Sequence, residues 1–230
     1  SNPDVHDKTM GRIFKITHES DKWVQVNLTK ATDEELVNYH PNTNEYYVRQ
    51  ARTILQERGP NPKIHEALKV ILANNPDVSR KLRALWTLHV TQGLSEKDLN
   101  DLLSHQDENM RSWAIQLLTE SKNVSKSTLE IFAKMAKNDP SALVRLYLTS
   151  GMLRLAPSQR WEVMEALVQK SEDANDHNLP LMYWYAAEPL AEIDAKRALA
   201  MAESAKMPKF LEFMKRRLSP QTTDAEVHQH

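Results

Sequence analysis

Apolar residues recur at helical spacing along most of this chain and mark a succession of short helices. Between Met110 and Leu118, Met110, Trp113, Ala114, Leu117 and Leu118 all fall on one face of an α-helix. Turns rich in Pro, Asn and Asp separate such segments. The predicted helices are Thr32–Tyr39, Thr43–Arg58, Lys63–Ala73, the helix after the Asn74–Asp77 turn that ends near Gly93, Ser95–Ser104, Glu108–Ser121, Ser125–Lys137, Ser141–Leu155, Ser158–Glu172, Leu181–Glu192, Ala195–Ala205 and Pro208–Leu218.

Four of these helices share a short motif in which an apolar residue is followed at once by arginine. The arginines follow one another at intervals of 34, 28 and 34 residues. A period of roughly 30 to 40 residues built on paired helices is typical of an α-solenoid. We therefore predict an all-α fold, an α-solenoid of about five to six helical pairs. The four motifs are Val48-Arg49, Leu82-Arg83, Met110-Arg111 and Val144-Arg145.

The two ends of the chain differ from this helical pattern. Gly11–Thr17 and Trp23–Val26 alternate polar with apolar residues, which predicts one or two short strands. They are either a cap on the first helices or the last strand of a preceding β domain. The polar segment after Leu218 contains Pro220 and is predicted to be disordered. The predicted organisation is an extended segment at 1–30, a repeat domain at 31–218 and a tail at 219–230.

An acid followed by Pro and then Val-Arg, clearest from Asp139-Pro140 to Val144-Arg145, resembles the HEAT repeat. In that family the Asp and the Arg are usually structural. A guanidinium between helices needs acceptors, and its planar fork suits a carboxylate of a neighbouring repeat. The third repeat departs from the pattern because Asp107 lies only four residues before its arginine. The predicted arginine ladder comprises Arg49, Arg83, Arg111, Arg145, Asp77 and Asp139.

Charge and composition remove several classes of function. The formal net charge is −1 at pH 7, which argues against nucleic acid as the main partner. The chain has no cysteine, which excludes disulfides, thiolate metal sites and covalently attached haem. No segment approaches the roughly 18 apolar residues of a membrane span. Ser1-Asn2 is typical of a cleaved tag, and we expect the chain to be an excised part of a longer protein.

Aromatic residues concentrate on the arginine-bearing helices. Trp113 and Tyr147 share the apolar stripe, so we predict that they fill the core between helix layers. Trp86, Trp184 and Tyr185 are candidates for a surface that binds a protein partner, because one helix layer of a solenoid lines its concave face.

The segment from Asp173 to Pro189 has no counterpart elsewhere in the chain. Within it, His177 and Glu188 join the candidate binding residues. Asp173, Asp176 and His177 could form a cation site, but acidic loops of this kind are usually solvated, so we predict no metal site. The chain contains no phosphate-binding glycine loop and no His-Glu-x-x-His or Gly-x-Ser-x-Gly motif. We predict no catalytic residue.

One larger resemblance covers residues from about Gly11 to Leu218. The stretches Gly11–Ile16, Arg83–His89, Arg111–Ala114 and Asp173–Leu190 resemble the helical middle region of the large bacterial PVC-type haem-binding proteins, also described as membrane-bound dehydrogenases. The resemblance implies a preceding β-propeller similar to sugar dehydrogenases and a following cytochrome c-like domain with Cys-x-x-Cys-His. It implies no cofactor in this chain, haem only in that separate domain, and a location in the periplasm or cell envelope.

These observations support three hypotheses of function. The first is a non-enzymatic HEAT-like scaffold that links the propeller to the cytochrome domain, with the neighbouring domains, and a protein bound to its concave face, as partners. In the second, the concave face contributes substrate-binding residues, chiefly Trp184, Glu188 and His177, to a sugar-dehydrogenase-like enzyme. The third is a nucleic-acid-binding HEAT-like protein, against which the near-neutral charge argues.

Overall fold

The computed structural model of the protein describes residues 26–219, a range in which all regular structure is helical. The predicted strand at Gly11–Thr17 lies outside it, as do most of Trp23–Val26 and of the 219–230 tail. Short 3-10 helices occupy Leu28–Lys30, Pro157–Gln159 and Ser171–Asp173. The α-helices are α1 (Asp33–Asn38), α2 (Glu45–Arg58), α3 (Pro62–Asn74), α4 (Val78–Val90), α5 (Glu96–Leu102), α6 (Glu108–Glu120), α7 (Lys126–Asn138), α8 (Ala142–Arg154), α9 (Trp161–Leu167), α10 (Leu179–Ala187), α11 (Leu190–Ile193), α12 (Ala195–Ser204) and α13 (Phe210–Leu218).

Side chains at the helix starts bind backbone N–H groups that have no partner within the helix. The Thr32 hydroxyl accepts from the Glu35 backbone N–H at 3.2 Å, and the Glu35 carboxylate accepts from the Thr32 N–H at 2.7 Å. Ser95 and Asp98 form the same reciprocal pair at the start of α5. Such caps contribute about 1 kcal/mol each. These helix starts are therefore decided by residues adjacent in the sequence.

The even-numbered helices from α2 to α10 pack side by side in chain order. Thus α4 lies between α2 and α6, and α8 lies between α6 and α10. Opposite this layer, α1 packs against α3, and α7 packs against α9. This paired, sequential packing is consistent with an α-solenoid. Within residues 26–219, no helix has the length and apolar character needed to cross a membrane.

Two apolar clusters fill the space between the layers. The N-terminal cluster contains Leu36, Leu55 and Leu68 and is formed mainly by α1–α4. The larger cluster extends from Leu85 to Met214. The partly buried side chains of Leu72 and Leu94 pack against both clusters.

The segment predicted as one helix from Ser158 to Glu172 is interrupted. Its regular part is only α9, Trp161–Leu167, with a 3-10 helix on either side. Before α9, the buried Arg160 donates to the carbonyls of Leu155 and Ala186. After α9, the Val168 carbonyl accepts from the Lys206 backbone N–H at 2.7 Å. Because Arg160 and the Val168 carbonyl form hydrogen bonds with residues outside this segment, the regular helix is limited to the residues between them.

The helix predicted at Leu181–Glu192 is divided at Pro189. It starts earlier, at Leu179, with Pro180 in its first turn, and ends at Ala187. Proline fits the first turn of a helix, where no intrahelical N–H bond is needed, but removes a donor from the interior. The chain continues as the short helix α11.

Candidate functional site

Arg111 and Arg145 connect successive repeats through paired hydrogen bonds to carboxylates 28 residues further along the chain. Arg111 donates to both oxygens of Asp139 at 2.8 and 2.9 Å. Arg145 donates to both oxygens of Asp173 at 2.6 Å. Each arginine also donates to carbonyls of the turn before its own helix, as Arg145 does to the Asp139 carbonyl at 3.1 Å. A planar guanidinium thus fixes two turns relative to each other.

Tyr183 extends the second of these pairs into a buried network. Its hydroxyl donates to Asp173 at 2.6 Å, and the ring is fully buried. The hydrogen-bonded Asp173 carboxylate raises the pKa of the Arg145 guanidinium, and burial raises the pKa of the Tyr183 hydroxyl. Both groups therefore keep their protons, and the network holds one positive and one negative charge.

Arg83 makes the corresponding contacts with the preceding repeat. It donates to Glu45 at 2.5 Å and to the carbonyls of His40 and Asn42 at 3.0 and 2.8 Å. The structure places the two other predicted ladder residues outside the ladder. Arg49 is exposed and pairs weakly with Glu45 of its own helix. Asp77 caps α4 by accepting from the Ser79 backbone N–H at 2.8 Å.

A row of side chains in contact, one arginine and three aromatic residues, runs along the even-numbered layer. The Arg52 guanidinium lies 5.6 Å from the centre of the Trp86 ring. Trp86 meets Trp113 edge to face at 4.9 Å, and Trp113 meets Tyr147 at 6.3 Å. The three aromatic side chains are half-buried. Trp86 therefore lies in this row, on a different helix from the other candidate binding residues.

Trp184 and Tyr185 line a groove of about 400 Å³ between α10 and α13. The Trp184 ring meets Phe210 edge to face at 5.8 Å and Phe213 in a tilted arrangement at 5.5 Å between ring centres, and these contacts hold it in place. The side chains that line this α10/α13 groove are Leu181, Trp184, Tyr185, Phe213, Arg216 and Arg217.

The remaining candidate residues lie beside the groove or away from its lining. Glu188 accepts a hydrogen bond from Arg217, which also donates to Glu192. This pairing fixes Arg217 at the edge of the groove. His177 is exposed in the loop before α10. Of the five predicted binding residues, the structure thus brings Trp184, Tyr185 and Glu188 together.

No model of a known protein family matches this chain. No curated protein matches it either. Within residues 26–219, no three side chains of the types that ligate metals lie together.

Sequence reasoning missed the structural role of Asp173 and the contribution of α13 to the groove. The first could have been found, because Asp173 follows Arg145 by the same 28 residues that separate Arg111 from Asp139. The second carried no such signal. Phe213 lies on a helix remote in sequence from Trp184, and only packing brings the two helices together.

Proposed function

We propose that this chain is a HEAT-like scaffold domain without catalytic activity of its own. In the protein that contains it, the domain holds a dehydrogenase β-propeller and a cytochrome c-like domain at a set separation, in the bacterial periplasm or cell envelope. Haem belongs to the cytochrome domain, and this chain holds no cofactor. Its direct partners are the neighbouring domains and a protein bound to its surface.

The observation that carries this proposal is the pair of ion pairs Arg111–Asp139 and Arg145–Asp173, each joining adjacent repeats. Both side chains of the second pair are only 3% exposed. Bending the array at this point would separate buried charges from their partners, which costs several kcal/mol. The repeats therefore resist hinge motion, as a spacer between two redox domains requires.

The alternative, in which Trp184, Glu188 and His177 act on a substrate, has less support. Glu188 is paired with Arg217, and His177 lies in an exposed loop outside the lining of the groove. The hydrogen bond from Arg217 occupies an oxygen of the Glu188 carboxylate that a substrate would otherwise contact.

The rigidity of the domain can be measured directly because the chain has no native cysteine. Glu66 on α3 and Glu203 on α12 are exposed and suit replacement by Cys and attachment of spin labels. Double electron–electron resonance should give one narrow distribution of distances between the labels. A broad or bimodal distribution in this otherwise unaltered protein contradicts the proposal.

Two variants test whether the buried pair causes the rigidity. Arg145→Met should broaden the distance distribution, because it leaves Asp173 buried without its cation. Arg197→Met removes an exposed pair with Glu165 and should leave the distribution unchanged.

A further inference from the structure

We propose that the α10/α13 groove binds an extended segment of a partner protein that carries carboxylates next to an apolar or aromatic side chain. The inference rests on the proposed function, since it identifies the chemistry by which the scaffold recognises a partner. Three properties of the groove support it: its exposed apolar side chains, its rigid base and the charge on one of its walls.

The apolar side of the groove exposes two large side chains to solvent. Tyr185 is 56% exposed and Leu181 is 49% exposed, one helical turn apart on α10. α10 carries no charged residue at all. Exposed aromatic and apolar side chains grouped in a concave site are characteristic of surfaces that bind other proteins.

The Trp184 ring is already fixed before any partner binds. Phe210 and Phe213 pack against the ring at 5.8 and 5.5 Å between ring centres, which restricts its rotation. A partner that packs on this ring pays little conformational entropy on the protein side. Rigid, partly buried aromatic anchors of this kind contribute a large share of binding energy at interfaces.

The α13 wall carries an excess of positive charge. This helix has one acidic residue, Glu212, and three basic residues in its last turn, Lys215, Arg216 and Arg217. Glu188 and Glu192, neither of which lines the groove, both pair with Arg217 and more than offset its charge. Arg216 also lines the groove, is exposed, and forms no ion pair within residues 26–219. A carboxylate of the partner would complement it.

This charge favours an acidic protein segment over nucleic acid. Nucleic-acid binding relies on several cations placed along a phosphate backbone. Here the groove is mainly apolar, and Arg216 is its one lining cation without an ion pair within residues 26–219. An aromatic or aliphatic side chain flanked by carboxylates matches both of its walls.

The tryptophans provide a direct readout. The chain has five, and of the four within residues 26–219 Trp184 is the one that lines this groove, so its indole N–H resonance in a ¹⁵N-labelled protein reports occupancy. The probe is the synthetic peptide Asp-Glu-Phe-Asp-Glu-Leu-Asp with blocked ends. We expect a saturable shift of the Trp184 resonance, little change at Trp86, Trp113 and Trp161, and weaker binding as salt increases.

Matched variants separate binding from general surface effects. Tyr185→Ala should weaken binding roughly tenfold, whereas Tyr46→Ala, at an equally exposed tyrosine on α2, should have no effect. Arg216→Gln should weaken binding several-fold, and Lys215→Gln should not. Lys215 has the same charge in the same helical turn but does not line the groove.

Several outcomes would overturn the inference. One is an unmoved Trp184 resonance at millimolar peptide, and another is an equal response to a peptide with Lys in place of each acid. A response to oligothymidylate but not to the peptide would assign the groove to nucleic acid. A shift caused by deleting residues 220–230 without peptide would identify the chain's own tail as the occupant. These results leave the spin-label distances unaffected, so failure of this inference is distinguishable from failure of the scaffold proposal.

Discussion

The Arg145–Asp173–Tyr183 network places a full charge pair in the interior of the protein. Moving both charges out of water is costly, and the paired geometry together with the tyrosine hydroxyl offsets that cost. Removing one partner leaves the other charge buried and unpaired. The free energy of unfolding therefore falls by more than the net contribution of the intact pair.

We predict that Asp173→Asn lowers the free energy of unfolding by about 3 kcal/mol or more, because it leaves the Arg145 charge without a counterion. Urea denaturation followed by circular dichroism measures the change. The matched control is Glu165→Gln at the exposed pair with Arg197, which should cost less than about 1 kcal/mol. Equal effects of the two substitutions would disprove a special role for the buried pair.

His40 is another buried polar residue, and its hydrogen bonds join α1 to α4. Its Nδ1 lies 2.9 Å from the Val37 carbonyl and its Nε2 lies 2.7 Å from the Thr87 hydroxyl. The carbonyl can only accept, so Nδ1 carries the proton of the neutral ring. Burial lowers the pKa of His40 to about 4.

The depressed pKa predicts a pH dependence of stability. Below about pH 6.5 the unfolded chain binds a proton at this histidine, whereas the folded protein does not until about pH 4. The contribution of His40 to the free energy of unfolding is therefore fully present above pH 6.5. It decreases as the pH falls to 4, by up to about 3 kcal/mol in total.

Urea titrations at several pH values across this window test the prediction. His40→Gln should flatten the dependence between pH 6.5 and 4, whereas His177→Gln, in an exposed loop, should retain the wild-type slope. An unchanged slope in His40→Gln would assign the pH dependence to other groups.

At the scale of elements, α6 and α8 approach each other closely at Gly151. A Cβ atom added there would lie 3.0 Å from the methyl carbon of Thr119. The glycine therefore permits this contact, although glycine within a helix costs about 1 kcal/mol relative to alanine.

Gly151→Val is predicted to lower the free energy of unfolding by about 1–3 kcal/mol through overpacking against α6. Thr119→Ser removes the methyl group and keeps the hydroxyl, which donates to the Ile115 carbonyl. The double variant should be more stable than the sum of the single effects predicts. Strict additivity in this double-mutant cycle would show that the two side chains do not clash.

At the scale of the whole molecule, the two apolar clusters predict that stability is distributed along the array. Within residues 26–219 the main contacts join helices that are close in the chain, so local damage is expected to remain local. Leu68 and Leu148 are both fully buried, one in each cluster.

Hydrogen exchange measured by mass spectrometry can test this distribution. Leu68→Ala, at a cost of about 2–5 kcal/mol, should increase exchange mainly in α1–α4. Leu148→Ala, an equally drastic change, should increase it mainly in α6–α10. Uniform acceleration along the chain in both variants would show one cooperative unit instead.

The sequence by itself determined the features that depend on neighbouring residues. The helical periodicity and the caps at Thr32 and Ser95 involve residues only a few positions apart in the sequence. Pro189 divides its helix because it has no backbone N–H to donate. The 28-residue spacing of Asp139 from Arg111 is also readable in the sequence, and the same spacing leads to Asp173. The positions of most helices in residues 26–219 therefore follow from local interactions, whereas the limits of α9 depend on bonds to distant residues.

Only the tertiary structure decided which distant groups meet. In the folded protein Arg83 contacts Glu45 of the preceding repeat, and His40 is buried against Thr87. The tertiary structure also brought α13 against α10 and so formed the groove at Trp184. These contacts depend on how helices pack across turns, and the direction in which a long side chain points is set by the space that packing leaves.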